Sequence, residues 1–190
     1  SGDLCLRVWD LESGENTWDL SGHEKQINAI CFSPDGKRCY SAGKEAEVFI
    51  WDATNWDPIG TFASAAGETS ALVAGPGENR LLQAGDFVMD WDLAARKSKE
   101  FLTLENVTAL ALAHNQRWLA AGLADGTIHL WDVSQGKWKT EQERKFGSRR
   151  AFSESTLFEV QPLQVFNKHN GAVRALAFSP DDGQVLSGGE

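Results

Sequence analysis

Three kinds of side chain in this sequence could carry chemistry, and the spacing of each argues against it. The histidines are His23, His114, His129 and His169, and no two stand at a metal-ligand spacing. His23 follows a glycine at a strand entrance, His129 lies on a strand, and His114 lies in a hairpin turn. The cysteines are Cys5, Cys31 and Cys39, an odd number with no C-x-x-C pair. All three fall on apolar strand runs, where cysteine packs as a small hydrophobe. A bridge between Cys31 and Cys39 across one hairpin stays open as an alternative to reduced thiols in a non-oxidising compartment. Asp10, Asp52, Asp92 and Asp132 resemble a set of catalytic acids, but each directly follows a tryptophan at the end of a strand, which makes them turn formers. The sequence has no nucleophile elbow, phosphate loop or dinucleotide fingerprint, and Gly75-Pro76-Gly77 reads as a turn. The expectation is therefore no catalytic residue, no metal and no cofactor.

The same Trp-Asp pairs expose the elements that carry these residues. Trp9, Trp51, Trp91 and Trp131 are separated by 42, 40 and 40 residues. A period of about 40 marks a repeat architecture. One unit reads clearly. Ile27 to Phe32 is a β-branched, apolar run. Ser33-Pro34-Asp35-Gly36 supplies a fixed φ, a side-chain acceptor and a residue tolerant of φ > 0, which together make a hairpin turn. Arg38 to Ala42 returns, Glu47 to Trp51 forms a third strand, and Ile59 to Phe62 forms a fourth. Val107 to Leu112 and Val173 to Phe178 repeat the first strand. The turn recurs as Ser179-Pro180-Asp181-Asp182-Gly183 with one residue inserted. These strands are apolar on both faces, so each small sheet must be covered on both sides. Sheets stacked around an axis cover one another.

The order Gly22-His23, Ser33-Pro34-Asp35-Gly36, Ser41-Ala42-Gly43, Trp51-Asp52 resembles the repeat of the WD40 (WD-repeat) β-propeller family. The resemblance runs through nearly the whole chain, except an insertion at 137–161. It implies an all-β fold of four-stranded antiparallel blades over residues 1–190. Three repeats are complete and two are halves, about four blade-equivalents in all. The adopted reading is a piece of a larger ring; the alternative is a four-bladed ring closed by its two halves.

The resemblance also implies a buried hydrogen-bond relay from loop histidine to strand-two hydroxyl, turn acid and strand-three tryptophan. Mapped onto this chain, the relay is His23, Ser41, Glu45 and Trp51 in the best repeat. Asp125 and Trp131 fit in the third complete repeat, where Thr103 and Ala121 replace the histidine and hydroxyl and break the relay. His169 and Ser187 begin a relay at one end of the chain, and Asp3 and Trp9 supply the matching second half at the other. The second complete repeat has no Gly-His pair, and it carries Asp90 where its equivalents are Val8, Ile50 and Leu130. It is expected to be the least stable complete blade, with Asp90→Val stabilising.

By the same resemblance, the positions around the channel mouth are Gln26, Asn28, Lys44 and Arg174, together with Glu68, Ser70, Asn106, Thr108, Ala124 and Ala172. They are candidates for partner binding, although only Arg174 is of a type favoured at binding hot spots. The insertion offers a second candidate surface. Lys137, Lys139, Arg144, Lys145, Arg149 and Arg150 stand there against Glu141 and Glu143, interleaved with Phe146, Phe152, Leu157 and Phe158. It reads either as a docking arm for an acidic partner or as a solvated excursion.

Composition narrows the partners. Of 190 residues, 42% are apolar and 24% charged, as in a globular chain. Lys plus Arg is 18 and Asp plus Glu is 27, a net charge of −9, which disfavours sequence-independent nucleic-acid binding. No apolar run approaches the roughly 20 residues of a membrane span. The expected partners are other proteins, with no nucleic acid, membrane or small-molecule substrate, in a cytoplasmic setting. The function expected is a non-catalytic interaction scaffold. The alternative is a regulatory or localising module attached to a kinase- or protease-type domain outside this segment.

Overall fold

The computed structural model describes residues 4–64, 66–75, 77, 79–102, 104–133 and 162–190. Asp3, Thr103 and the insertion at 137–161, with Arg144, Lys145, Arg149 and Arg150, lie outside the described residues. The described secondary structure is sixteen strands in five antiparallel sheets. None of the described residues forms a helix long and apolar enough to cross a membrane.

A leading half-blade pairs β1 (Leu6–Trp9) with β2 (Asn16–Leu20). The first complete blade holds β3 (Ile27–Phe32), β4 (Arg38–Gly43), β5 (Glu47–Asp52) and β6 (Pro58–Ala63), side by side in that order. The second holds β7 (Ala71–Ala74), β8 (Arg80–Ala84), β9 (Val88–Asp92) and β10 (Lys97–Leu102). The third holds β11 (Val107–Leu112), β12 (Trp118–Leu123), β13 (Thr127–Asp132) and β14 (Gln164–Asn167). A trailing half-blade pairs β15 (Val173–Phe178) with β16 (Val185–Gly189). Among the described residues the two half-blades are separate two-stranded sheets.

The strands form where the sequence alternates apolar runs with turn chemistry. In the first β3–β4 hairpin, Ser33 Oγ donates to Asp35 Oδ1 at 2.5 Å and accepts from the Arg38 N–H at 2.9 Å, while Gly36 takes φ +69°. The inserted residue of the last hairpin has a specific use. Asp182, at φ +57°, accepts from the backbone N–H groups of His114 and Asn115, both at 2.8 Å. Gln116 Oε1 accepts from Gly77 N–H at 2.8 Å in the same way. The hairpin turns of neighbouring blades are thus clipped together.

The core lies between the blades. Tyr40, Ala42 and Val48 of the first complete blade pack on Leu72, Leu81, Met89 and Trp91 of the second. Leu82, Val88 and Phe101 of the second pack on Leu110, Leu119 and Trp131 of the third. A fully buried leucine such as Leu81, Leu82 or Leu119 stabilises by about 2 kcal/mol. Ile30 and Phe32 remain 53% and 55% exposed because the leading half-blade has only its two outer strands. The register equivalent of Ile30 in the second blade, Leu72, is 6% exposed.

The cysteines are free thiols, and the register explains why the bridge considered from sequence does not form. Cys31 lies opposite Tyr40 and Cys39 opposite Phe32, so the two point to opposite faces of the sheet. Of the tryptophans outside the Trp-Asp pairs, Trp18 is 49% exposed and Trp56 meets Phe32 edge-on at 6.1 Å.

Candidate functional site

The rim where strand one of each blade begins is built from the loop before β3 and its counterparts. Gly22 takes φ +149°, and a Cβ there would come within 3.3 Å of the Phe49 ring. That close approach seats His23 in the blade. Its side chain is fully buried, and its ring centroid is 4.1 Å from that of Phe49. His23 Nδ1 meets Glu45 Oε1, and Nε2 meets Ser41 Oγ at 2.7 Å. Trp51 Nε1–H donates to the same Ser41 Oγ at 2.8 Å. One proton arrangement satisfies every group. Nδ1–H donates to the carboxylate, Ser41 O–H donates to Nε2, and the Ser41 oxygen accepts from Trp51. Glu45 Oε2 also accepts from the Lys25 N–H at 3.0 Å. The Glu45 carboxylate therefore reaches both the ring and the loop backbone. Burial lowers the His23 pKa to about 4, so the imidazole is neutral at pH 7 with both nitrogens committed. The arrangement positions a loop; it leaves no ring nitrogen for proton transfer.

The second complete blade solves the same problem with different residues, and sequence reasoning missed it. Gln83 occupies the register position of Ser41 and is fully buried. Its Nε2 donates to Ser64 Oγ at 2.5 Å and to Thr69 Oγ1 at 2.6 Å, and its Oε1 accepts from Trp91 Nε1–H at 2.9 Å. An amide with two donors and an acceptor replaces imidazole plus hydroxyl. The signal in the sequence was a glutamine on an otherwise apolar strand. Asp90, 2% exposed, is held by the Arg80 guanidinium, with Nε donating to Oδ1 at 2.8 Å and an Nη contacting Oδ2. The acid is partnered, which reverses the expected effect of Asp90→Val.

In the third complete blade Ala121 stands at the hydroxyl position, and Asp125 turns to Thr127, accepting its N–H at 2.9 Å and its hydroxyl at 2.7 Å. An imidazole enters from another place: His129, on β13, stacks on Trp131 at 5.7 Å. Burial lowers its pKa, against the opposing pull of Asp125. In the trailing half-blade His169 Nε2 meets Ser187 Oγ at 2.8 Å. Trp9 does not complete that pair. It is 56% exposed, because β1 and β16 are not paired in one sheet.

The candidate partner-binding positions divide into two groups. Asn28 Nδ2 donates to the Thr69 carbonyl at 3.0 Å, Ser70 Oγ to the Val107 carbonyl at 2.6 Å, and Thr108 Oγ1 to the Val173 carbonyl. Each is the second residue of strand one, or its register equivalent; Ser70 and Thr108 bond the residues that open β11 and β15, and Asn28 bonds Thr69, two residues before β7. These side chains tie blade to blade, with Ser70 and Thr108 half-buried and Asn28 still exposed. Gln26, Lys44, Glu68 and Arg174 stay exposed around them. Lys44 N–H donates to the Gln26 carbonyl at 2.9 Å, and a Cβ at Gly43 would sit 1.9 Å from that same oxygen, so this stretch of backbone is fixed. Arg174 pairs with Glu190 at 2.7 Å in solvent.

A family model for the WD domain, G-beta repeat, matches residues 14–52, 99–132 and 160–190. The unmatched stretch between the first two includes β7, β8 and β9 of the blade built on Gln83. Two curated relatives, both described as small ribosomal subunit proteins, align over 144 residues at 31% identity: RACK1y of Oryza sativa subsp. japonica and RACK1 of Drosophila melanogaster. A third, RACK1 of Neurospora crassa, is 29% identical over 143 residues. The alignments cover 69–70% of this chain but only 43–45% of the relatives, so the chain spans less than half the length of the proteins it matches.

Proposed function

Because this chain belongs to the WD-repeat (G-beta repeat) family, we propose that it is a non-catalytic scaffold that docks other proteins on the rim around Gln26, Lys44, Glu68 and Arg174. The observation that carries this reading is the series of blade-to-blade ties from Asn28, Ser70 and Thr108. They lock strand one of each complete blade to the next sheet, so the backbone that carries the exposed side chains is already ordered and adds little to the cost of binding. The relatives bear a ribosomal name and none of an enzyme, which favours a scaffold over a module serving a catalytic domain. The net charge of −9 favours protein contacts over RNA contacts, and three free thiols suit a cytoplasmic setting.

The test is site-directed photo-crosslinking in cells. A photoreactive residue replaces Gln26 or Lys44 on the rim, or Gln116 on the opposite hairpin turns as control. Protein adducts that depend on the rim position and survive nuclease treatment are the expected result. Adducts only from the control position, or adducts lost with nuclease, would overturn the reading.

A further inference from the structure

Two outer strands, β6 and β14, contain no charged residue, and of the two only β6 stands beside a groove lined by arginines. β6 ends its sheet, so its far edge is unpaired. Its six residues, Pro-Ile-Gly-Thr-Phe-Ala, include no charge, and all but the half-exposed Phe62 are exposed. The corresponding β10 contains Lys97, Lys99 and Glu100, and β2 contains Asp19. Charged side chains are the usual protection of a sheet edge against added strands, and β6 lacks it. The pairing is legible. Ser64 N–H donates to the Ala46 carbonyl at 2.8 Å, and the register continues with Glu47 opposite Ala63 and Phe49 opposite Thr61. By the alternation of antiparallel pairs, Phe62 turns its backbone groups toward β5, while Thr61 and Ala63 turn theirs outward.

Beside this edge runs a groove of about 300 Å³ between the first and second complete blades. Ile59, Phe62 and Trp91 give it an apolar wall, with the Phe62 and Trp91 rings 4.4 Å apart. Arg38 and Arg96, both exposed, line it against a single carboxylate, Asp92. Two cations and one anion stand here on a chain whose net charge is −9. The groove behind β14 is larger, about 700 Å³, but among the described residues that line it the only charged one is Asp182.

We propose that β6 and this groove bind an extended acidic peptide by strand addition: its backbone pairs with Thr61 and Ala63, its apolar side chains lie on Ile59 and Phe62, and its carboxylates meet Arg38 and Arg96. The proposal rests on the scaffold reading and adds to it a second surface, on the side of the ring, with a defined partner chemistry.

The probe is the labelled, end-blocked hexapeptide Asp-Val-Glu-Val-Asp-Val. Its controls are the same sequence N-methylated at every residue, and Lys-Val-Lys-Val-Lys-Val. Binding is read by fluorescence anisotropy on the full chain, and amide hydrogen exchange is read at Thr61 and Ala63. The acidic peptide should bind and slow exchange at those two amides. The N-methylated and lysine peptides should not bind measurably. Arg38→Glu with Arg96→Glu should weaken binding by about tenfold or more. Both substitutions are on exposed side chains, and far-UV circular dichroism checks the fold. Equal binding of the acidic and lysine peptides, unchanged affinity in the double variant, or protection at another strand edge would overturn the proposal. The rim crosslinks of the scaffold test do not involve β6, so either reading can fail alone.

Discussion

Asp90→Val turns the description of the second blade into a measurement. Asp90 fills the register position held by Ile50 and Leu130 in its neighbours, so valine there restores the repeat pattern. Judged by pattern alone, the change stabilises. The structure reverses the sign. The Asp90 side chain is 1% exposed and accepts two contacts from an Arg80 guanidinium that is 24% exposed. Removing one partner of a buried ion pair costs about 3–5 kcal/mol, because the other charge is left unpaired. Arg80 can recover some water, which lowers the expected loss to about 2–3 kcal/mol. For a chain of this size each kcal/mol moves Tm by about 2–4 °C, so the drop should be about 4–12 °C. Replacing both partners, Asp90→Val with Arg80→Leu, removes the stranded charge and should recover most of the loss. Differential scanning calorimetry on the two variants and the parent decides. A single variant as stable as the parent, or a double variant as unstable as the single, would show that the pair does not matter as described.

Gln83→Leu keeps the volume roughly but strands the Trp91 N–H and the Thr69 hydroxyl in the interior; a loss of about 2–6 kcal/mol in urea unfolding is expected, at about 1–3 kcal/mol per orphaned group. His23 gives a pH dependence. Its folded pKa, about 4, lies below the unfolded value near 6.5, so the unfolded chain takes up the proton first. Stability from this group is full above about pH 6.5 and is lost as pH falls toward 4; His23→Gln should flatten that part of the stability curve relative to the parent. Burial pushes the Cys31 thiol up to about 12 and the Cys39 thiol up to about 11. Iodoacetamide at pH 8 should therefore modify both far more slowly in the folded chain than in urea, and equal rates would contradict their burial.

The sequence by itself determined the repeat, the strands and the turns, because these rest on contacts within about ten residues. Ser33, Asp35 and Gly36 make their hairpin with no help from other blades. The His23 relay was also legible, since His23, Ser41, Glu45 and Trp51 all belong to one repeat and each residue type has one evident use there. Tertiary structure decided what depends on which atoms meet across blades and strands. Asn28, Ser70 and Thr108 look like free polar rim residues in sequence; only the next blade's carbonyls, 37 to 65 residues away, show that they are tied to it. Asp90 looks like a fault in an apolar pattern and Gln83 draws no notice in sequence, because their partners are fixed by strand register and by loop placement. A buried polar group costs free energy only when it is left unpaired, and pairing is a property of three-dimensional neighbours.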